Sequence, residues 1–399
     1  MKKIILIICI NLLILQAFCQ TAPTHLKYFG FALVDMLWDD PHDASTITNY
    51  IAEVNSFSNI AQLGVYDYTD NIIARVNLMN SKCVKPIVSF QSIFYQTIDT
   101  IAPSGNHIAL FTNYVARWNF FKTVNATILN SSKIGAFYVV DEPVWNGLSF
   151  YEFNAVCDMI KTDFPNIPLF FVEAKPALSS LKIPTTIDWI AFDDYGIFNP
   201  LTSISYNNDM DTLKSKRSNP NQKIVLVIDD QWMPYYGAAG YSPDTIRYMV
   251  QNYYNLAASD TEIIGMIGYL WPGGLDDPGQ LGVRDMPQSV INKNVEIGTM
   301  IKANYSPCST TGLTDFSNVS SQFNIYPNPG NDKLFISLYN SDETEIKIFN
   351  VFGQEVFKQT LTSPQTIEIN IEHLQSGVYC ARAITDKNII YDRTLIIRK

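Results

Sequence analysis

"GAFYVVDEPVWNG", residues 135–147, runs from a glycine through β-branched and aromatic residues into two adjacent carboxylates, a proline and a tryptophan. Val, Phe and Tyr suit a pleated backbone, and a run that is apolar at consecutive positions suits a strand covered on both faces. An ionised carboxylate is costly to bury unless it is paired or solvated, so Asp141 and Glu142 belong where this strand leaves the core. Strands buried on both faces come from parallel sheets wrapped in helices, so the rest of the chain should hold companions.

Seven further segments fit: "YFGFALVD" (28–35), "NIAQL" (59–63), "KPIVSF" (85–90), "PLFFVE" (168–173), "DWIAFDD" (188–194), "KIVLVIDD" (223–230) and "IGMIGYLW" (264–271). Amphipathic, helix-length stretches separate them. Ser149 with Glu152 forms a capping box, and Ser242-Pro243-Asp244 supplies a cap, a first-turn proline and an N-terminal acid. Eight βα units over residues 20–304 predict an α/β fold, a (β/α)₈ TIM barrel, in preference to a doubly wound open sheet. One interval, around 91–134, is long for a simple βα connection.

The flanks differ from this core. Residues 1–19 carry Lys2 and Lys3, an apolar run and Ala17-Phe18-Cys19, which predicts a secretory signal peptide cleaved before Gln20. Lipid attachment at Cys19 is the alternative, and the bulk of Phe18 argues against it. No later stretch is apolar for long enough to predict a transmembrane span. Residues 305–322 are rich in Ser and Thr and predict a linker. Beyond it, "KLFISLYN" (333–340), "EIKIFNV" (345–351), "TIEINI" (366–371), "GVYCARAI" (377–384) and "RTLIIRK" (393–399) predict a small all-β sandwich over 323–399. A net charge of −10 argues against nucleic acid as a partner. Cys83, Cys157, Cys308 and Cys380 lack metal-type spacing and are read mostly as packing residues, with one disulfide left open. The four histidines form no HExxH pair, and GxSxG, phosphate-loop and dinucleotide fingerprints are missing, so neither metal nor cofactor is expected. "WDDPHD" (38–43) is read as solvated caps before a helix start.

"IYPNPGNDKLFISL" (325–338), "IKIFNVFGQEV" (346–356), "LQSGVYCARA" (374–383) and "TLIIRK" (394–399) occur in the order found in the C-terminal sorting domain of the type IX secretion system, which the tail resembles. The resemblance implies a cargo protein that meets the type IX machinery through its tail and ends up secreted or on the cell surface.

In a TIM barrel the strands' C-terminal ends form the active face. Those ends read Asp35, Gln91, Asp141 with Glu142, Glu173, Asp193 with Asp194 and Tyr195, Asp229 with Asp230, and Trp271. A rim of carboxylates and aromatic rings suits glycoside cleavage, in which one carboxylic acid protonates the leaving oxygen and a second carboxylate attacks or activates water. Glu142 is the expected acid, and its partner is expected from Asp194, Asp229 or Asp230. Asp141, Trp145, Glu173, Asp193, Tyr195, Trp232, Trp271 and Gln91 are expected to bind substrate. Alternation along a strand turns Asp141 and Glu142 opposite ways unless the chain bends near Pro143. The "DEP" ending resembles the "NEP" of the large clan of retaining (β/α)₈ glycosidases, which implies an acid/base role for Glu142. Asp141 stands where that clan has asparagine, and Asp229-Asp230 where it has a glutamate nucleophile. "AFDDYG" (191–196) is similar to a segment of chitinase-like barrels, without their Asp-x-Asp-x-Glu run. The expected function is a secreted glycoside hydrolase-like protein acting on a poly- or oligosaccharide; the rival is a catalytically inactive carbohydrate-binding or adhesion protein.

Overall fold

The computed structural model describes residues 21–308, 323–338, 344–350, 354–361, 365–385 and 390–399. The expected signal peptide and most of the expected linker lie outside the described residues. The chain forms two compact units that divide between Ser309 and Thr310.

The first unit contains eight parallel strands: β1 (Tyr28–Phe31), β2 (Ile60–Gly64), β3 (Lys85–Ser89), β4 (Ala136–Asp141), β5 (Leu169–Ala174), β6 (Trp189–Asp193), β7 (Lys223–Asp229) and β8 (Ile263–Tyr269). Each lies within a residue of its predicted segment at the N-terminal side, and β1 and β8 stop short of the predicted ends. The sheet order, 1-8-7-6-5-4-3-2, is that of a barrel. A parallel bridge between Asp35 and Leu63 completes the seam between β1 and β2. Gly30 permits that closure, because a Cβ there would lie 1.8 Å from the Ile60 carbonyl oxygen.

Residue alternation sorts the strands' side chains into two cores. Phe29, Phe31, Leu63, Val88, Phe137, Leu169, Phe171, Ile190, Leu226 and Met266 face outward under the helices. Ile60, Ile87, Tyr138, Phe170, Val172, Trp189, Val225 and Ile267 face inward. Each large apolar side chain so covered contributes about 1.5–3 kcal/mol. Tyr28 and Trp189, with ring centroids 4.6 Å apart, fill the N-terminal end of the barrel and leave the other end open.

Helices start where the sequence signals them. Ser149 accepts from the Glu152 N–H and Glu152 reaches back to Ser149, capping Phe150–Asp163. The long third interval holds a short helix (Gln91–Phe94), an antiparallel hairpin (Tyr95–Asp99 with His107–Leu110) and the helix Tyr114–Asn125. The barrel unit extends past the expected boundary at 304. Tyr305 packs on Tyr28 at 5.4 Å and accepts a hydrogen bond from Asn59 at 2.7 Å. Cys308 is disulfide-bonded to Cys83, while Cys157 is a buried packing residue.

The second unit has a three-stranded sheet (Phe323–Tyr326, Lys333–Leu338, Gln365–Asn370) and a four-stranded one (Glu355–Leu361, Thr344–Asn350, Gly377–Thr385, Ile390–Ile397). Leu334, Ile336, Ile346, Ile348, Ile369, Ala381 and Leu395 form its core. Two strands were not expected. One of them, Glu355–Leu361, is an edge strand with mostly exposed side chains, so it carries little apolar alternation. Among the described residues no helix is long and apolar enough to cross a membrane.

Candidate active site

The open end of the barrel is a cavity of about 700 Å³, within the usual range of ligand sites, about 300–1,000 Å³. Its floor is the inward face of the strands: Ile87, Tyr138, Phe170, Val172, Val227 and Ile267. Its polar lining comes from strand ends and loops: Gln62, Gln91, Asp141, Glu142, Asp193, Tyr195, Gln231, Tyr269 and Asp276.

Both carboxylates of the "DEP" segment reach this cavity, and the backbone explains how. A register shift in β4 between Tyr138 and Val140 inserts an extra residue, so Val139 and Val140 both join the outer core and Asp141 turns inward. Glu142 then adopts φ +46°, a left-handed conformation that costs a non-glycine residue energy, and it swings to the same side. The bend lies at Glu142 itself, one residue before Pro143.

Glu173 holds this bend. It is fully buried, and its carboxylate accepts from the N–H groups of Val144 (2.9 Å) and Trp145 (3.1 Å). Burial pushes its pKa up to about 7 despite those hydrogen bonds, so it is a positioning residue behind the turn rather than a substrate ligand. Glu173→Leu takes the side-chain acceptor from three N–H groups, those of Val144, Trp145 and Ala174, so it is expected to cost about 1–3 kcal/mol in a denaturant melt and to lower kcat more than it changes KM. An unchanged kcat would detach Glu173 from the site.

Within the cavity, burial and then the Asp141 charge push Glu142 up to about 7, while a side-chain hydrogen bond with Asp193 acts the other way. Asp193 is raised well above the carboxylate range by burial and by Glu142 and Asp141. Neighbouring carboxyls resist ionising together, so each favours the protonated form of the other. Asp141 opens onto the cavity space yet is ringed by protein; burial raises its pKa and a hydrogen bond from the Tyr138 hydroxyl opposes the rise. The Asp141 N–H donates to Gln91 Oε1 at 3.0 Å. Asp276 enters from the loop after β8. It accepts from the Tyr269 hydroxyl at 2.7 Å and from Gln280 Nε2 at 2.9 Å.

Gln91, Asp141, Glu142, Asp193 and Tyr195 therefore meet at the cavity, and the other predicted residues do not. Asp194 pairs with Lys175 at 2.8 Å. Asp229 is buried beneath the Tyr236 hydroxyl and accepts from the Gly196 N–H at 2.6 Å. Asp230 is buried against Asn294 of the last helix, which donates to it at 3.2 Å, and burial raises its pKa to about 8. Trp271 lies outside the strands between Phe31 and Phe57 and donates to Glu53 at 2.6 Å. Trp232 exchanges backbone hydrogen bonds with Leu281 and packs on Tyr236. Trp145 uses its backbone, accepting from the Ser104 N–H at 3.1 Å, and its ring does not line the cavity. Asp35 is buried in a two-point ion pair with Arg75. Tyr138 and Tyr269 were missed, although the inward parity of β4 and β8 marks both.

Asp40, His42 and Asp285 bring potential metal-ligand atoms within 4.8 Å of one another. Arg284 already supplies positive charge there, 3.4 Å from Asp40 and paired with Asp43 and Glu53, so the cluster joins the first loop to the last without calling for an ion.

Comparison with known proteins bears on the tail first. Residues 324–398 match the family model of the secretion system C-terminal sorting domain. The tail is a type IX sorting domain. It marks the chain for export by the type IX machinery to the cell surface or beyond. The chain is also 34% identical over 90 residues to the ulvan lyase NLR42 of Nonlabens ulvanivorans, a match that spans 22% of this chain and 16% of that protein. Among solved structures, a GH113 beta-1,4-mannanase is similar over 68% of this chain and 98% of its own, with 10% identity and a TM-score of 0.44. The Ruminococcus gnavus beta-glucuronidase is similar over 69% of this chain and 50% of its own, with 13% identity and a TM-score of 0.45.

Proposed function

We propose that the exported barrel is a glycoside hydrolase that cleaves O-glycosidic bonds of a poly- or oligosaccharide. The observation that carries this reading is the turn at Glu142, which points a carboxyl with a pKa of about 7 into an aromatic-walled cavity beside Asp193. A general acid works best when its pKa lies near the working pH. Asp193 interacts directly with Glu142 and is assigned to the acid's own side of the site. The β8 loop lies on the other side of the barrel mouth, four strands from β4 around the ring. Asp276 on that loop is the proposed second carboxylate.

In the proposed reaction Glu142 gives its proton to the leaving oxygen as the bond from that oxygen to the anomeric carbon breaks. A water oxygen bonds to the anomeric carbon from the opposite face, and Asp276 takes the water's proton. Asp193 holds the acid's proton in place before transfer, and Tyr138, Tyr195 and Tyr269 offer hydroxyls to the sugar.

The test is incubation of the chain with a polysaccharide panel, following new reducing ends and the anomeric configuration of the first product. New reducing ends with inverted configuration and no unsaturated sugar are expected. Saccharide binding without any cleavage would favour an inactive carbohydrate-binding barrel.

A further inference from the structure

Four carboxyls line the cavity, Asp141, Glu142, Asp193 and Asp276, and none of the described lining residues is Lys, Arg or His. Basic side chains on neighbouring segments are engaged elsewhere: Lys175 on Asp194 and Asp209, Arg75 on Asp35, and Arg284 on Asp40, Asp43 and Glu53. Acid/base hydrolysis of a glycoside needs two carboxyls. The cavity therefore holds more acid than the reaction uses and nothing of opposite charge to balance it. Asp193 Oδ1 is shielded from solvent without a donor of its own, and Asp141, which opens onto the cavity and has no part in the proposed reaction, takes its side-chain hydrogen bond from the Tyr138 hydroxyl. Carboxyls crowded in this way gain most from a ligand that brings the missing positive charge, and they repel one that adds negative charge.

We infer that the pocket selects saccharides bearing a protonated amine, such as 2-amino-2-deoxy sugars, over neutral sugars and over uronates or sulfated sugars. The inference rests on the glycoside hydrolase reading and specifies its substrate class. A ring ammonium set among Asp141, Asp193 and Asp276 gives each carboxyl a charged donor, and the aromatic walls exclude the water that would screen it.

The test is calorimetric titration of the full chain carrying Glu142→Gln, which keeps bound oligosaccharide intact, with oligomers of one length and linkage built from glucosamine, glucose or glucuronic acid. The glucosamine oligomer is expected to bind at least about tenfold more tightly than the glucose oligomer, with an advantage that shrinks as salt is raised, and the glucuronate oligomer to bind weakest. Adding Asp276→Asn, an exchange in a loop and not in the strand core, is expected to reduce the preference. Equal or tighter binding of the neutral or anionic oligomer overturns the inference and leaves the saccharide reading standing. Failure of all three to bind overturns both. A preference that survives Asp141→Asn together with Asp276→Asn comes from the chain's overall negative charge, and it also overturns the inference.

Discussion

Glu142→Gln is expected to slow glycoside hydrolysis by about 10²–10⁴-fold while saccharide affinity stays nearly unchanged. The substitution keeps the shape and removes only the transferable proton, so the loss belongs in kcat. The pH profile supplies a second reading. A general acid must be protonated, so kcat is expected to fall as pH rises through about 7, the value to which burial and the Asp141 charge raise Glu142. That basic limb is expected to vanish in the Gln variant. Full activity in the variant would remove Glu142 from the reaction, and a parallel loss of binding would mean that the exchange disturbed the turn.

The folded chain is expected to be most stable in mildly acidic solution and to lose stability steadily from about pH 5 to pH 8. Burial first of all raises Asp229 to about 6, Glu142, Glu173 and Asp285 to about 7, and Asp230 to about 8. An acid with a raised folded pKa is protonated in both states below its unfolded value, near 4, and imposes no cost there. Above that value the unfolded chain ionises while the folded chain keeps its proton. Each such group then removes stability until the pH passes the folded pKa, at most about 1.4 kcal/mol per pH unit for the deeply buried Asp229 and Asp230 and less for Glu142 and Asp285, which solvent partly screens. On the other side of the optimum, Asp43 and Glu262, both lowered to about 2, lose their contribution as pH falls towards that value. Melting temperature followed from pH 4 to 8.5 checks this, and a flat or rising trend above pH 5 would contradict it. Asp230→Asn keeps a hydrogen-bonding group against Asn294, and it is expected to fold and to reduce the slope by one group's share.

The barrel was legible in the sequence because a strand buried on both faces has to be apolar at consecutive positions, and few other structures write "KIVLVIDD" or "PLFFVE". The site was legible only where side-chain direction follows from alternation or from a bend whose cause is local. Asp141 and Glu142 point together because of an inserted residue and a positive φ, neither of which leaves a mark in "YVVDEP". Asp229 and Asp230 sit at a strand end on the active face, as expected, yet the short helix Pro234–Ala238 brings Tyr236 over one and Asn294 takes the other from 64 residues away. Trp271 followed the end of β8 outward to Glu53, 218 residues distant in sequence. Partners that far along the chain cannot be read from spacing. The sorting domain was legible because its motifs are long and ordered.

The disulfide between Cys83 and Cys308 changes how the barrel would carry a pull on its tail. The last helix of the barrel, Gln288–Lys302, ends a few residues before Cys308, and Cys83 precedes β3. Tension on the segment beyond Cys308, during export or while the tail is held at a surface, would enter the barrel through sulfur at Cys83 and bypass that helix. Without the crosslink the same tension would fall on the non-covalent contacts of Tyr305 and Asn304, and behind them on the helix that packs beside Phe29 and Phe57 at Gly298. Under such a pull the crosslink would act as a strain relief, as a clamp does on a cable where it enters its housing.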